Sequence, residues 1–368
     1  MTATLDLVDQ LLERRARASD RYFGEEAGRL AELCRVMAER FERGGRLHAV
    51  GGSGQAWSDA HHVAVEFVHP VIVGKRALPA VAVAPDALSL LTGSDDMTIT
   101  FEPFVVTAGE EWLLEPVDDD PFVRQELAET AYHVLWELVH VFFEHLGSSA
   151  AGAGASGFLY PFLEAGDANL DAVVEDVRGS VTMKADEVAE LRVQTVANGR
   201  AELLAAAGAV RRALDAGGTV LAFGNGGSAT DAMDVVADFR AAPQGWPERR
   251  ALDLTDPAIL SAVANDIGAE ALYQRQLIAY GRRGDVALAL STSGNSANVI
   301  AGLAEARRRG LATIAFVGYD GGRIAEERLA DHVVVTPSEH IPRIQEAQAT
   351  AYHVLRELVE RTDEGEEA

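Results

Sequence analysis

The residues best placed to do chemistry sit in two short loops rich in Gly, Asn and hydroxyl groups. One closes the stretch Thr219-Val-Leu-Ala-Phe-Gly-Asn-Gly-Gly-Ser228, the other Asp285-Val-Ala-Leu-Ala-Leu-Ser-Thr-Ser-Gly-Asn-Ser296. In each, an apolar run too short for a helix stops at small polar residues and a helical pattern begins directly afterwards, which reads as strand, tight loop, helix. Such a loop carries backbone N–H groups and hydroxyls to a helix N-terminus, where unpaired donors and the positive end of the dipole favour an anion. Phosphate is the expected guest. Either loop alone is equally an ordinary turn capped by Ser and Asn. The pair says more, because loops at the carboxyl ends of neighbouring parallel strands face one crevice. Neither loop ends in Gly-Lys-Ser/Thr, and neither has the glycine spacing of a dinucleotide site followed by a ribose-binding acid, so the expected ligand is a small phosphorylated molecule and no nucleotide cofactor is expected.

Positioning two such loops requires strands that alternate with helices. After helical segments over roughly 168–216, the apolar strands before the two loops are joined by strands at Arg250 to Leu254, Ala312 to Val317 and His332 to Val335, with a terminal helix from about Arg343. This alternation predicts an α/β fold, a doubly wound parallel sheet flanked by helices. The first part of the chain follows the same plan: helices over 5–44, a strand at His48 leading to Gly51-Gly-Ser-Gly54 and a helix, a second strand at Ala80 to Val83, and a long helix from Phe122. Between Leu91 and Asp120 the pattern weakens to one convincing strand near Phe104 to Thr107. Gly147 to Ser156 has the composition of a flexible linker. The expected division is a truncated domain over 1–147, a linker over 148–156 and a complete domain over 157–368.

Residue identities show that the two halves are copies. Gly52, Asp59, His62, Glu66 and Phe67 fall opposite Gly224, Asp231, Asp234, Asp238 and Phe239 at an offset of 172. Gln125-Glu126 and Thr130-Ala-Tyr-His-Val-Leu135 fall opposite Gln345-Glu346 and Thr350-Ala-Tyr-His-Val-Leu355 at an offset of 220. The offsets differ by 48 residues (220 − 172), so the first copy is shorter and is expected to lack the second loop, its strand and most of its crossover.

Composition bounds the partners. Of 368 residues 48% are hydrophobic, ample for packed cores, and 57 acidic against 32 basic residues give a net charge of −25, which disfavours nucleic acid and anionic membrane surfaces. The lone Cys34 excludes an internal disulfide and a thiolate metal cluster. A charged, helical N-terminal stretch and the absence of an apolar run of membrane length predict a cytoplasmic protein.

Taken in order, Gly-Asn-Gly-Gly-Ser228 with Asp231-Ala-Met233, Asn265-Asp266, Ser291-Thr-Ser-Gly-Asn-Ser-Ala-Asn-Val299, Gly318-Tyr-Asp-Gly-Gly322 and Arg343-Ile-Gln-Glu346 with His353 resemble the sugar isomerase (SIS) domain family. Over roughly Ala168 to Glu360 the likeness is to its phosphoheptose isomerases. The resemblance implies that Asn225, Ser228, Ser291, Thr292, Ser293 and Ser296 hold a sugar phosphate, with Asp266 and Gln345 also on the substrate. It further implies a divalent metal, zinc in that family, and acid/base groups drawn from a His and Glu four residues apart and from a Gln and His on the terminal helix. In the second copy Asp234 and Asp238 stand where the family has that His and Glu, and Pro342 where it has an Asp; Gln345 and His353 are kept. The first copy keeps all four as His62, Glu66, Gln125 and His133. His62 and Glu66, at i and i+4, share a helix face. Gln125 and His133 lie about 80° apart around theirs, close enough to converge.

The expected reaction is aldose–ketose isomerisation of sedoheptulose 7-phosphate to glycero-manno-heptose 7-phosphate through an enediol, which needs a base beside the α-carbon and an acid beside the carbonyl oxygen. Glu66 with His133 or His353, or else Asp238 with His353, supply such pairs. One arrangement draws its phosphate cradle from the second copy and its metal or acid/base groups from the first; the competing one leaves the chemistry to Asp238 and His353. Two other readings stand beside the isomerase: a non-catalytic module that binds a phosphosugar as sensor or scaffold, and an amino-sugar phosphate isomerase. A homodimer carrying four SIS halves is the expected assembly.

Overall fold

The computed structural model describes residues 2–52, 54–71, 75–146, 170–241 and 245–361, so the expected linker at 148–156 lies outside the described residues. The chain divides into two compact units, Arg17–Glu187 and Met1–Ala16 with Val188–Ala368. The division therefore falls inside two long helices, where the sequence pattern had suggested the Gly/Ala/Ser stretch. Helical periodicity marks which face of a segment is apolar, not which core receives it.

In the N-terminal unit, helix α1 (Thr2–Glu42) supplies its residues from Arg17 onward. It leads to strand β1 (Leu47–Val50), helix α2 (Gly54–Val68), strand β2 (Ala80–Val83) and the single turn α3 (Leu88–Leu91). Strands β3 (Met97–Phe101), β4 (Phe104–Ala108) and β5 (Glu110–Leu113) follow, then helix α4 (Pro121–Leu146). The last piece is the start of α5 (Leu170–Asp215), up to Glu187. Leu30, Leu33 and Met37 of α1, Val134 and Leu138 of α4, and Val177 and Val181 of α5 join β1 and β3 in one core.

The sheet order is β2-β1-β3-β4-β5, with β2, β1 and β3 parallel but β3-β4-β5 an antiparallel meander. This corrects one expectation. The strand thought missing from the first copy is present as β3. What is absent is the loop and crossover helix after it, because the chain turns back at Glu102-Pro103 and pairs β4 directly against β3.

The C-terminal unit combines the first residues of α1 and the rest of α5 with strand β6 (Val220–Phe223), helix α6 (Gly227–Ala241), strand β7 (Ala251–Asp253) and helix α7 (Pro257–Asp266). A short 3-10 turn (Ala269–Ala271) opens onto helix α8 (Leu272–Tyr280). Strand β8 (Val286–Ser291), helix α9 (Ala297–Arg309), strand β9 (Ala312–Gly318), the turn α10 (Gly322–Glu326), strand β10 (His332–Thr336) and helix α11 (Ile341–Arg361) complete it. All pairings in the order β10-β9-β8-β6-β7 are parallel, as the sequence predicted.

Alternate residues of β6 and β8 serve two cores. Val220, Ala222, Val286 and Leu288 face α1, α5 and α11, while Leu221, Phe223, Ala287 and Ala289 face α8 and α9. Burial on both faces explains why these strands read as unbroken apolar runs. The strand order reverses beside β6, which has β7 on one side and β8 on the other, and the crevice at such a reversal lies at the carboxyl ends of the strands, where the two polar loops sit. Each unit also fastens its terminal helix with a buried ion pair at an equivalent glutamate: Arg15 with Glu357 at 3.0 Å, and Lys184 with Glu137. Among the described residues no helix is long and apolar enough to cross a membrane.

Candidate functional site

The first loop turns sharply because a Cβ on Gly224 would stand 2.4 Å from the Ser228 carbonyl oxygen, so only glycine lets α6 start so close to the end of β6. Ser228, buried in the first turn of α6, donates its N–H to the Asn225 carbonyl at 3.0 Å. The second loop is braced by its own hydroxyls. Ser291 Oγ accepts from the Gly294 N–H at 3.2 Å and lies 3.3 Å from Ser296 Oγ, and Ser293 Oγ accepts from the Asn295 N–H at 3.2 Å. Ser296 occupies the N-cap of α9 without spending its side chain on the cap. Thr292 and Ser293 are half-buried at the rim.

The two loops are joined. Asn225 Nδ2 donates to Asn298 Oδ1 at 2.9 Å, and Asn298 Nδ2 donates back to Asn225 Oδ1 at 2.8 Å. This pair ties the loop of Asn225 and Ser228 to the start of α9, directly after the loop of Ser291, Thr292, Ser293 and Ser296. Asp266 ends α7, exposed, and accepts from Asn265 Nδ2 at 2.7 Å. Sequence reasoning missed Tyr273. Its hydroxyl donates to the Gly224 carbonyl and lies 3.0 Å from Asn225 Oδ1. No motif marks it, since a tyrosine in the first turn of an amphipathic helix reads as packing.

In the same unit α11 brings His353 to α6. Its Nε2 stands 3.3 Å from Asp238 Oδ2 and 3.8 Å from Asp234 Oδ2, all three residues being buried. Tyr352 donates to Asp234 Oδ2 at 2.8 Å. Gln345 lies on the same helix, buried, about two turns before His353. His353 thus stands between two carboxylates, a set able to accept and deliver protons.

In the N-terminal unit the matching positions also converge. His133 Nε2 lies 3.3 Å from His62 Nε2, and His62 Nε2 lies 3.9 Å from Glu66 Oε1. Tyr132 reaches both His62 Nδ1 and Asp59 Oδ1 at 3.2 Å, and Gln125 Nε2 donates to Asp59 at 3.3 Å. Burial, with His133 second, pushes the His62 imidazole well below its ordinary pKa, keeping it in the neutral form that a metal requires.

These residues fit a divalent cation. Ligand atoms of His62, Glu66 and His133 lie within 4.8 Å of one another, and the buried Gln125 Oε1 has no hydrogen-bond partner among the described residues. Two imidazoles and a carboxylate are a common zinc donor set.

The class that this fold and cradle define is the SIS domain, whose family model matches residues 185–318. The phosphoheptose isomerase of Aquifex aeolicus is 43% identical over 178 residues, 47% of this chain and 91% of its own length. That of Citrifermentans bemidjiense is 41% identical over 187 residues, 49% of this chain and 95% of its own. The chain belongs to the phosphoheptose isomerase family. In fold it is also similar to the C-terminal domain of glucosamine-fructose-6-phosphate aminotransferase from Francisella tularensis, which aligns over 96% of this chain and 94% of its own at 10% identity and a TM-score of 0.56.

Proposed function

We propose that the chain is an aldose–ketose isomerase that converts sedoheptulose 7-phosphate to glycero-manno-heptose 7-phosphate. The observation that carries this reading is the 3.3 Å approach of His353 to Asp238 in the unit that also holds the Ser/Asn cradle. The phosphate sits among the hydroxyls of Ser228, Ser291, Thr292, Ser293 and Ser296. Asp238 takes a proton from C1 of the ketose as the C2 carbonyl becomes an enediol, and returns it to C2. His353 moves the accompanying proton between O2 and O1, so the carbons exchange oxidation level with no outside redox partner. Asp238 is one methylene shorter than the glutamate that the family resemblance implies at this position, and His353 Nε2 stands 3.3 Å from its carboxylate.

We assign His62, Glu66 and His133, with Gln125, to a divalent ion such as zinc. When bound, such an ion supplies an electrophile that polarises a carbonyl or hydroxyl oxygen.

The test is turnover of sedoheptulose 7-phosphate by the full chain, with and without zinc, beside direct calorimetric binding of the same sugar. Product aldoheptose phosphate is expected. Binding without turnover under every metal condition would sink the isomerase reading and leave a phosphosugar-binding module.

A further inference from the structure

We propose that Tyr273 is a positioning residue for the sugar-phosphate site, setting the orientation of the Asn225 amide through its buried hydroxyl. The inference rests on the cradle reading given above.

Three contacts fix which way the amides point. The Val299 N–H donates to Asn298 Oδ1 at 3.0 Å, so the oxygen of that amide faces the start of α9. Asn225 must then present Nδ2 to Asn298 Oδ1 and Oδ1 to Asn298 Nδ2, as it does at 2.9 and 2.8 Å. This leaves Asn225 Oδ1 facing the Tyr273 hydroxyl at 3.0 Å, where a donor satisfies it. A primary amide carries two N–H donors, and the second one on exposed Asn225 is left for a ligand oxygen.

The hydroxyl is shared between Asn225 Oδ1 and the Gly224 carbonyl, and so ties the side chain to the backbone at the end of β6. Burial raises the phenol's pKa, which keeps the proton on the oxygen as a donor. The ring itself is held from two sides. It packs on Phe223 with centroids 5.0 Å apart, and a Cβ on Gly302 of α9 would stand only 3.0 Å from Tyr273 Cβ. Gln276, one turn further along α8, donates to the Leu254 carbonyl at 3.0 Å and anchors that helix to the end of β7. Tyr273 therefore joins β6, α8 and α9, the elements around the crevice, through a group that a single oxygen deletion removes while the packing stays.

The experiment is a double-mutant cycle on the full chain, with Tyr273→Phe, Asn225→Ala and the pair, reading sedoheptulose 7-phosphate affinity by calorimetry and folding by thermal unfolding. Tyr273→Phe is expected to weaken binding about tenfold in the wild-type background and by less than about twofold when Asn225 is already alanine, because the tyrosine acts through that amide. Unchanged binding in Tyr273→Phe, or penalties that multiply independently in the double variant, overturns the positioning role while leaving the cradle reading intact. No sugar-phosphate binding by the wild-type chain overturns both. A purely structural role would lower the unfolding temperature of Tyr273→Phe and persist in the Asn225→Ala background.

Discussion

Tyr132 and Tyr352 hold the same post in the two copies, each turning its hydroxyl toward the residue at the equivalent position of the facing helix. Tyr132 lies 3.2 Å from His62 Nδ1, and Tyr352 donates at 2.8 Å to Asp234 Oδ2. The duplication thus extends to the hydrogen bonds that orient the site groups, although the groups themselves have diverged. In one copy these groups are two imidazoles and a carboxylate, in the other one imidazole and two carboxylates.

Removing the Tyr132 hydroxyl should loosen the metal site without removing a ligand. Tyr132→Phe is expected to lower zinc affinity about 10–100-fold, as loss of an outer partner of a ligating histidine does. Competition with a chromophoric chelator measures it, and His62→Ala should abolish binding in the same assay.

Asp238→Asn keeps the shape of the side chain and removes the base. Turnover is expected to fall by about 10²–10⁴-fold. Calorimetric binding of the sugar phosphate should change little, since the cradle is untouched.

Gly294 has φ +62, and a Cβ there would stand 2.1 Å from the Gly321 carbonyl oxygen, a backbone atom with no room to yield. Gly294→Ala is expected to cost about 1–3 kcal/mol of stability. It should also weaken sugar-phosphate binding more than about tenfold, because the Ser291–Gly294 bond that shapes the loop is displaced.

Arg15 and Glu357 form an ion pair with side chains only 2% and 0% exposed. Arg15→Met should destabilise the C-terminal unit by about 3 kcal/mol in urea unfolding, the low end for breaking a buried pair, because Arg361 still approaches Glu357 at 3.3 Å. Changing Arg15 and Glu357 together to apolar residues should recover much of the loss.

His140 gives the N-terminal unit an acid sensitivity. Its ring nitrogens face the carbonyls of Trp136 at 2.9 Å and Arg76 at 3.1 Å, and burial, with the Lys75 ammonium second, pushes its pKa down to about 4. The unfolded chain takes up this proton near pH 6.5, so the stabilisation is complete above that value and is lost progressively as pH falls toward about 4. The change is on the order of 3 kcal/mol at most. Denaturant midpoints at pH 7 and pH 5 measure it, and His140→Phe should flatten the difference.

Much of the C-terminal unit was legible from residue order. The apolar runs before Gly224 and Ser291, the small residues that end them and the spacing of the helices were enough to place two polar loops between strand and helix, because doubly buried strands announce themselves without needing a partner. The ribbon after Met97 was harder. β5, Glu110–Leu113, is an exposed edge whose charges hide its strand character, and nothing in an alternating pattern says that β3 will meet β4 head to tail. The apportioning of α1 and α5 between two cores escaped for a related reason: Val8 and Leu30 look alike in the sequence yet pack in different cores. Tyr273 was invisible because its role depends on where one hydroxyl ends up.

The turn at Glu102-Pro103 also changes how the chain can assemble. Thr98 and its partner Thr107 are nine residues apart in the chain (107 − 98), whereas Val220 and Val286 are 66 apart (286 − 220). Closing the shorter loop sacrifices less chain entropy, and local pairings form faster than distant ones. The outer ribbon of the N-terminal sheet can zip up from near neighbours during translation, while the sheet that carries the cradle has to gather strands scattered along the chain.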